Sequence, residues 1–198
     1  MLSKEIIHDL KNIAGIDKIY TEADDCYVYG YDNSRRQVSP DAVIFPTTHE
    51  QVVNICAICN QYKIPLTVRG RGTATTGATV PVQAGLVISM EKMNKVISFE
   101  PENRLIIVQA GITNQEVQDI VKEQGFFWPP DPSSAKFCSV GGNIGCNSAG
   151  PKAVKYGTTR DHVLGLKSVT GDAKTLTTGV KTSKGVVGYD FTRLIIGS

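Results

Sequence analysis

The chain has 198 residues, 41% of them hydrophobic and 20% charged, with 21 Lys and Arg against 19 Asp and Glu for a formal net charge of +2. These proportions exclude a disordered chain, which would be poorer in apolar residues and more lopsided in charge. They also exclude a strongly basic nucleic-acid binder. The length suffices for one or two domains with a genuine core. No run approaches the ~18 apolar residues of a membrane span, and Lys4, Glu5, His8 and Asp9 make the first ten residues unlike a signal peptide. Cys26, Cys56, Cys59, Cys138 and Cys146 fit no disulfide framework and no iron–sulfur or zinc spacing, so a reducing, cytoplasmic compartment is expected. Of 19 glycines, 17 lie from Gly70 onward, so the later two thirds of the chain must bend or approach something closely at many points.

Leu2, Ile6, Leu10 and Ile13 recur at helical spacing, and Ser3 and Gly15 bracket a helix over about 4–14. Tyr20 to Ser39 has no clear periodicity and reads as an irregular lead-in. Ala42–Phe45, closed by Pro46, reads as a strand. Thr48 and Gln51 form a capping box for a helix to about Tyr62 that buries Val52, Val53, Ile55, Cys56 and Cys59. Leu66–Val68 is a second strand, completing a parallel βαβ unit, and Leu86–Met90 a third. Val96–Phe99 and Leu105–Ala110 are strands joined at Pro101-Glu102-Asn103. Thr113 and Glu116 make another capping box, with Ile112 and Val117 as its staple, for a helix to about Gln124. His162–Thr170 and Lys174–Thr178 flank Gly171-Asp172 as a hairpin. Asp190 is an N-cap for a last short helix. The fold class is α+β: a small parallel βαβ subdomain over about 40–92, then a mixed or antiparallel sheet with helices from about 93.

Three segments carry chemistry. The first is Arg69-Gly70-Arg71-Gly72-Thr73-Ala74-Thr75-Thr76-Gly77, which follows a strand. Glycines let successive backbone N–H groups face one concavity, a nest for anionic oxygens, so a phosphate or pyrophosphate is implied. The loop is neither a dinucleotide-binding turn, since no helix follows at the required spacing, nor a nucleoside-triphosphate loop, since no Gly-Lys-Ser or Gly-Lys-Thr occurs. The second is Trp128-Pro129-Pro130-Asp131-Pro132-Ser133-Ser134, a stiff turn that presents Asp131 and the serines. The third is Ser139 to Gly150, whose small residues read as a tight turn leaving room for a flat ligand against Gly141, Gly142, Asn143 and Asn147. Cys56 and Cys59 have redox spacing but sit mid-helix, where core packing is the simpler role. His162, beside Asp161 at the mouth of a strand, reads as structural.

In this order, these segments closely resemble the FAD-binding domain of the vanillyl-alcohol oxidase type, and within it the glycolate oxidase and D-lactate dehydrogenase group. Pro129–Phe137, Gly141–Asn143, Gly150–Leu166 and Gly188-Tyr189-Asp190-Phe191-Thr192-Arg193-Leu194 carry the likeness. The resemblance covers about 40–198 and implies a two-subdomain FAD-binding fold after an N-terminal helix and lead-in over 1–39. It places Arg69, Gly70, Arg71, Gly72, Thr73, Ala74 and Gly77 at the FAD pyrophosphate and Pro46 on the adenine side. Pro130, Asp131, Ser133, Ser134, Gly141, Gly142 and Asn143 fall beside the flavin and ribityl chain, and Asn147, Gly150, Tyr156, Gly157 and Asp161 contact flavin or adenine. Arg71, Cys146 and Ala149 depart from the usual pattern. Where some relatives attach flavin through a histidine, this loop reads Gly72-Thr73-Ala74, so attachment is expected to be non-covalent.

The resemblance implies oxidation of a 2-hydroxy acid, of glycolate or D-lactate type, to a 2-oxo acid. Electrons would pass to an iron–sulfur subunit, an electron-transfer flavoprotein or a quinone, with any membrane association peripheral and through that partner. It also implies truncation before a substrate-capping domain that holds the catalytic base and any metal site. No catalytic residue is assigned here, because His8 and His49 lie away from the inferred flavin segments. Two other readings exist: a non-catalytic nucleotide-binding module docking a partner subunit, and a flavin reductase of cell-wall precursor synthesis on the same fold. A pyrophosphate grip alone would not require the proline turn and the Gly141-Gly142 segment, and the proline turn and Gly188–Leu194 match the hydroxy-acid group better than the reductase.

Overall fold

A computed structural model describes residues 2–182 and 184–198, which divide into two compact units: 2–93 with Val169–Thr175, and Asn94–Ser168 with Leu176–Ser198. In the first, α1 (Lys4–Ala14) starts at Ser3, whose hydroxyl accepts the Ile6 N–H at 3.3 Å, and stops at Gly15. The lead-in is more regular than its sequence suggests. It contains β1 (Ile19–Tyr20) and α2 (Ala23–Tyr27). A two-residue strand and a single helical turn are too short to show a period, and both take their form from packing.

β2 (Ala42–Ile44), α3 (His49–Tyr62), β3 (Leu66–Arg69) and β4 (Leu86–Ser89) follow. The Thr48/Gln51 capping box is present in full. The strand order is β1-β2-β4-β3, with β2 and β3 each parallel to β4 and β1 antiparallel to β2. The two strands joined by α3 are therefore parallel but not neighbours, because β4 inserts between them.

The period-2 alternation of β2 and β4 sorts the core onto two faces. Ala42, Ile44, Leu86 and Ile88 meet Leu10 and Ala14 of α1 and Ile55 and Cys59 of α3. Val43, Phe45 and Val87 meet Cys26 and Tyr29 on the other face. Val52 and Val53, expected to be buried, are only half-buried. Burial, with the neighbouring Cys56, pushes the Cys59 thiol up to about 12. Cys56 and Cys59 are thus packing residues, and all five cysteines are free.

In the second unit, β5 (Val96–Glu100) and β6 (Leu105–Val108) form an antiparallel hairpin, turned at Arg104 in the left-handed region (φ 53°). α4 (Asn114–Lys122) carries the second capping box, and its staple residues Ile112 and Val117 are both buried. The segment expected to be a tight turn is instead a helix, α5 (Val140–Cys146). Ser139 caps it by accepting the Gly142 N–H at 3.1 Å, and Asn147 ends it with φ 45°. An N-cap and a left-handed C-cap outweigh the poor helix propensity of three glycines when Val140 and Ile144 pack onto α4 and the hairpin. Next come α6 (Ala153–Tyr156), α7 (Thr159–His162), the paired β7 (Gly165–Val169) and β8 (Thr175–Gly179), and α8 (Phe191–Ile195) with Asp190 as N-cap. His162 therefore ends a helix and does not begin a strand.

Leu86 is fully buried at the centre of the first sheet, whereas Val68 on the outer strand is 59% exposed. Leu86→Ala should cost about 2–5 kcal/mol in a urea unfolding series, and Val68→Thr should move the midpoint little.

Candidate functional site

The glycine-rich loop leaves β3 at Arg69, and this arginine points inward. It is 7% exposed, donates from Nη1 to the Tyr31 carbonyl at 2.5 Å and from Nη2 to the Val28 carbonyl at 3.5 Å, and lies over the Tyr29 and Tyr31 rings. Its charge is taken up beneath the loop by these carbonyls and rings, although its place in the glycine-rich motif suggests a ligand-facing role. Gly72 rides above it with φ 66°, and a Cβ at that position would overlap the guanidinium. Only glycine satisfies both requirements.

Gly77, also expected at the ligand, gives its N–H to Asp32 Oδ2 at 3.0 Å. Among the described residues, no backbone N–H from Arg71 through Thr76 donates to any group of the protein. The Arg71 guanidinium is half-exposed and stands 3.8 Å from Glu91, which also accepts a hydrogen bond from Tyr29. Pro46 is buried just after β2.

Asp32 was not singled out from the sequence, yet it organises this loop. It is 3% exposed, and its carboxylate accepts the Ser34 N–H at 2.8 Å, the Gly77 N–H and the Thr79 hydroxyl at 3.5 Å. Burial pushes its carboxyl up, but the hydrogen bonds from Ser34, Gly77 and Thr79 outweigh that and hold it below its ordinary value. The only sequence signal was Asp-Asn-Ser, a turn-former in a stretch without periodicity.

In the second unit the polar centre is Asn114, also unforeseen. It is 3% exposed, and its Oδ1 accepts from Trp128 Nε1 and from Asn143 Nδ2, each at 2.8 Å, while its Nδ2 donates to the Pro130 carbonyl at 3.0 Å. Asn143, expected to face a ligand, is thus buried and directed at Asn114. The proline turn is fixed through Pro130, and Ser133 and Ser134 follow it on the exposed and half-buried side.

Several glycines read as making room for ligand instead make room for backbone. A Cβ on Gly141 would stand 2.8 Å from the Ala110 carbonyl oxygen, and one on Gly150 would collide with the Asp131 carbonyl. Asp131 reaches across to the Lys152 N–H at 3.2 Å. Gly142 remains exposed.

Asn147 accepts the Arg160 N–H at 2.9 Å through Oδ1. Gly157 has φ 88° and no space beside the Asp161 carboxylate. Asp161 accepts the Thr158 N–H at 2.8 Å and pairs with Arg193 at 2.7 Å. The Thr158 backbone bond, with the Thr158 hydroxyl and Arg193, holds its carboxyl below the usual value against slight desolvation. Tyr156 is exposed, edge-on to Phe127 at 5.0 Å, with Lys155 over its face at 5.1 Å.

Residues 40–179 match the FAD binding domain family. The chain belongs to that family, and FAD is its cofactor. Among curated proteins it is 38% identical to the glycolate oxidase subunit GlcD of Bacillus subtilis, covering 100% of this chain and 42% of that protein. It is 33% identical to the D-2-hydroxyglutarate dehydrogenase of Stutzerimonas stutzeri, covering 100% of this chain and 43% of that one. It is 37% identical to the mitochondrial D-lactate dehydrogenase [cytochrome] of Arabidopsis thaliana, covering 98% of this chain and 34% of that one. The chain therefore spans less than half the length of these relatives.

Two solved structures share the fold. An alkyldihydroxyacetonephosphate synthase superposes with TM-score 0.85 at 24% identity over 100% of this chain and 38% of its own. p-Cresol methylhydroxylase superposes with TM-score 0.75 at 25% identity over 88% of this chain and 35% of its own. The resemblance drawn from the motifs, the fold class and the cofactor all stand.

The FAD-binding family's phosphates call for donors that the protein itself leaves unused, and the loop from Arg71 to Thr76 meets that requirement. No helix of the described residues is long and apolar enough to cross a membrane.

Trp128 is the single tryptophan of the chain, so its emission reports on the Asn114 centre. Asn114→Ala should red-shift that emission and lower unfolding stability by about 2–3 kcal/mol, since the indole N–H and the Asn143 amide lose their acceptor.

Asp161 titrates lower folded than unfolded. Its contribution is therefore complete above the ordinary carboxylate value of about 3.9 and is lost as pH falls through the lower folded value. Asp161→Asn should lower the melting midpoint at neutral pH and converge with wild type in strong acid.

Proposed function

We propose that this chain is the FAD-binding part of a flavin-dependent oxidoreductase that oxidises a 2-hydroxy acid of glycolate or D-lactate type to a 2-oxo acid. The observation that carries this reading is the run of unpartnered N–H donors from Arg71 to Thr76. A pyrophosphate fits it, and curated relatives over the whole chain are named as hydroxy-acid oxidases and dehydrogenases. Bound FAD supplies the hydride-accepting ring. The chain's own residues bind and orient it. Gly70 to Ala74 present main-chain donors, Arg71 adds a charge at the rim, and Gly77 closes the loop.

Pro130, Asp131, Ser133, Ser134, Gly141 and Gly142 form the segment assigned to the flavin side. Gly150 packs against the Asp131 carbonyl and Asn143 bonds Asn114, while Asn147, Gly157 and Asp161 shape the following turn and α7, with Tyr156 exposed beside Phe127. We assign the FAD-binding domain to 40–198, with subdomains about 40–92 and 93–198 after a helix and lead-in over 1–39. Attachment is non-covalent, since Thr73 offers no ring nitrogen. Electrons leave to a partner, an iron–sulfur subunit, an electron-transfer flavoprotein or a quinone, and any membrane association is peripheral and through that partner. No residue of this chain is assigned as the catalytic base, and His8 and His49 belong to α1 and the start of α3.

The folded chain should quench flavin fluorescence on titration with FAD and release all of it to the supernatant on acid precipitation. A folded chain that takes up no FAD would refute the reading. Gly72→Ala should weaken FAD binding about tenfold, the cost of a left-handed L-residue. Arg71→Ala should cost less, because that side chain is turned toward Glu91. Anaerobic glycolate or D-lactate should leave the flavin band of the FAD-loaded chain unbleached, and bleaching would put the catalytic groups inside these residues.

A further inference from the structure

Besides Arg69, the residues that shape the phosphate loop lie before residue 40, outside the segment matched by the family. They form a small clasp, closed by an antiparallel bridge between Tyr31 and Gln37 and by the Val38 N–H on the Gly30 carbonyl at 3.0 Å. Two of its residues grip the loop. Asn33 donates its main-chain N–H to the Ala74 carbonyl at 2.9 Å and its Nδ2 to the Thr73 carbonyl at 3.2 Å. Asp32 holds the Gly77 N–H at 3.0 Å and the Thr79 hydroxyl.

We propose that Asp32 and Asn33 are positioning residues that set the direction of the loop's phosphate-binding N–H groups without touching the ligand. The proposal rests on the reading of this loop as the FAD pyrophosphate site. Its physical basis is the planarity of the peptide bond. No peptide among the described residues is cis, and in a trans peptide the C=O and the following N–H point in opposite directions. Fixing the Thr73 carbonyl on Asn33 therefore turns the Ala74 N–H away from the clasp. Fixing the Ala74 carbonyl on the same residue turns the Thr75 N–H the same way.

Two adjacent donors are thus aimed outward together, and neither has a partner in the protein. Asp32 holds the far end. It binds Gly77 so that the stretch between Ala74 and Gly77 cannot swing its amides back, and it closes its own turn on the Ser34 N–H at 2.8 Å. Nearly fully buried, its carboxylate meets protein donors and not an incoming anion. This arrangement orders the donors before the ligand arrives, which removes an ordering cost from binding.

The test uses the full 198-residue chain with Asp32→Asn and Asn33→Ala. FAD affinity is read from flavin fluorescence, ADP affinity from competition, and fold from the apo unfolding midpoint. Asp32→Asn puts an NH2 where one carboxylate oxygen accepted, and should weaken FAD roughly tenfold to a hundredfold, the range for a charge-assisted hydrogen bond. Asn33→Ala frees the Thr73–Ala74 peptide and should weaken FAD about threefold to tenfold.

Because the loss is in the phosphate contacts, ADP should weaken by the same factors as FAD. Exchange protection of the Ala74 and Thr75 amides by FAD should fall with it. A purely structural role would instead lower the apo midpoint and leave the affinity of the folded fraction unchanged. If Asp32→Asn does not fold, Asn33→Ala, whose Thr73 bond is exposed, carries the test alone. Folded variants that bind FAD within about twofold of wild type would overturn the positioning role. A folded wild-type chain that takes no FAD overturns the flavin reading instead.

Discussion

A loop that must offer its N–H groups to a ligand cannot use them to hold itself together. Ordinary secondary structure satisfies backbone donors internally, and that is much of what makes it rigid. The stretch from Arg71 to Thr76 gives this up, so its shape has to come from groups that approach it from below and from the side. Arg69 fills the space under Gly72 and ties β3 to the carbonyls of Val28 and Tyr31, while Asp32 and Asn33 hold the loop's carbonyls and its far amide. Deleting a buried polar group here is costly because each is the partner of several others. The second unit is organised around a neutral buried group instead. There Asn114 holds the proline turn through the Pro130 carbonyl and locks Trp128 and Asn143 beside it.

This division explains what the sequence made legible. Capping boxes at Thr48/Gln51 and Thr113/Glu116, the Ser3 and Asp190 caps, and the short apolar runs of β2 and β4 are local signals, and each produced the element it announced. The ordered motifs identified the family because they are numerous and specific. The buried polar centres were not legible. Nothing near Asn114 in sequence distinguishes it from the N1 residue of any helix, and Asp32 sits in a stretch with no period to read. Their partners are 16 and 45 residues away for the Pro130 and Gly77 bonds. Such long-range pairings cannot be inferred from local chemistry.

The glycines show where residue-type reasoning misleads. A glycine is required wherever a Cβ would collide, and it does not matter to the glycine whether the neighbour is ligand or protein. At Gly141 and Gly150 the neighbours are the carbonyls of Ala110 and Asp131, so their role is to bring α5 and the following turn against backbone. At Gly72 the neighbour is the Arg69 side chain. In each case the glycine supports the candidate site at one remove. The small-residue segment likewise became a helix because Ser139 and Asn147 cap it and two apolar residues anchor it, overriding propensity through tertiary contact.

The contacts that hold the second unit also run beyond the matched family segment, on its C-terminal side. The buried Thr192 hydroxyl donates to Thr178 at 2.8 Å, Arg160 donates to the Ile196 carbonyl, and the Gly197 N–H returns to Ile144 of α5 at 3.0 Å. Arg193 meets the Asp161 carboxylate that caps α7. α8 is only five residues long, too short to be stable by its own hydrogen bonds, so its helical form depends on these contacts. The dependence is mutual. α5 ends at Asn147 in a left-handed turn whose Cβ lies against Gly197, so the helix that carries Gly141, Gly142 and Asn143 is braced at its C-terminus by residues some fifty positions later. Just as Asp32 and Asn33 support the Arg71–Thr76 loop from upstream of the matched segment, α8 supports α5 from downstream of it. In each unit, the residues that hold the candidate segment in shape therefore reach beyond the stretch that sequence similarity delimits.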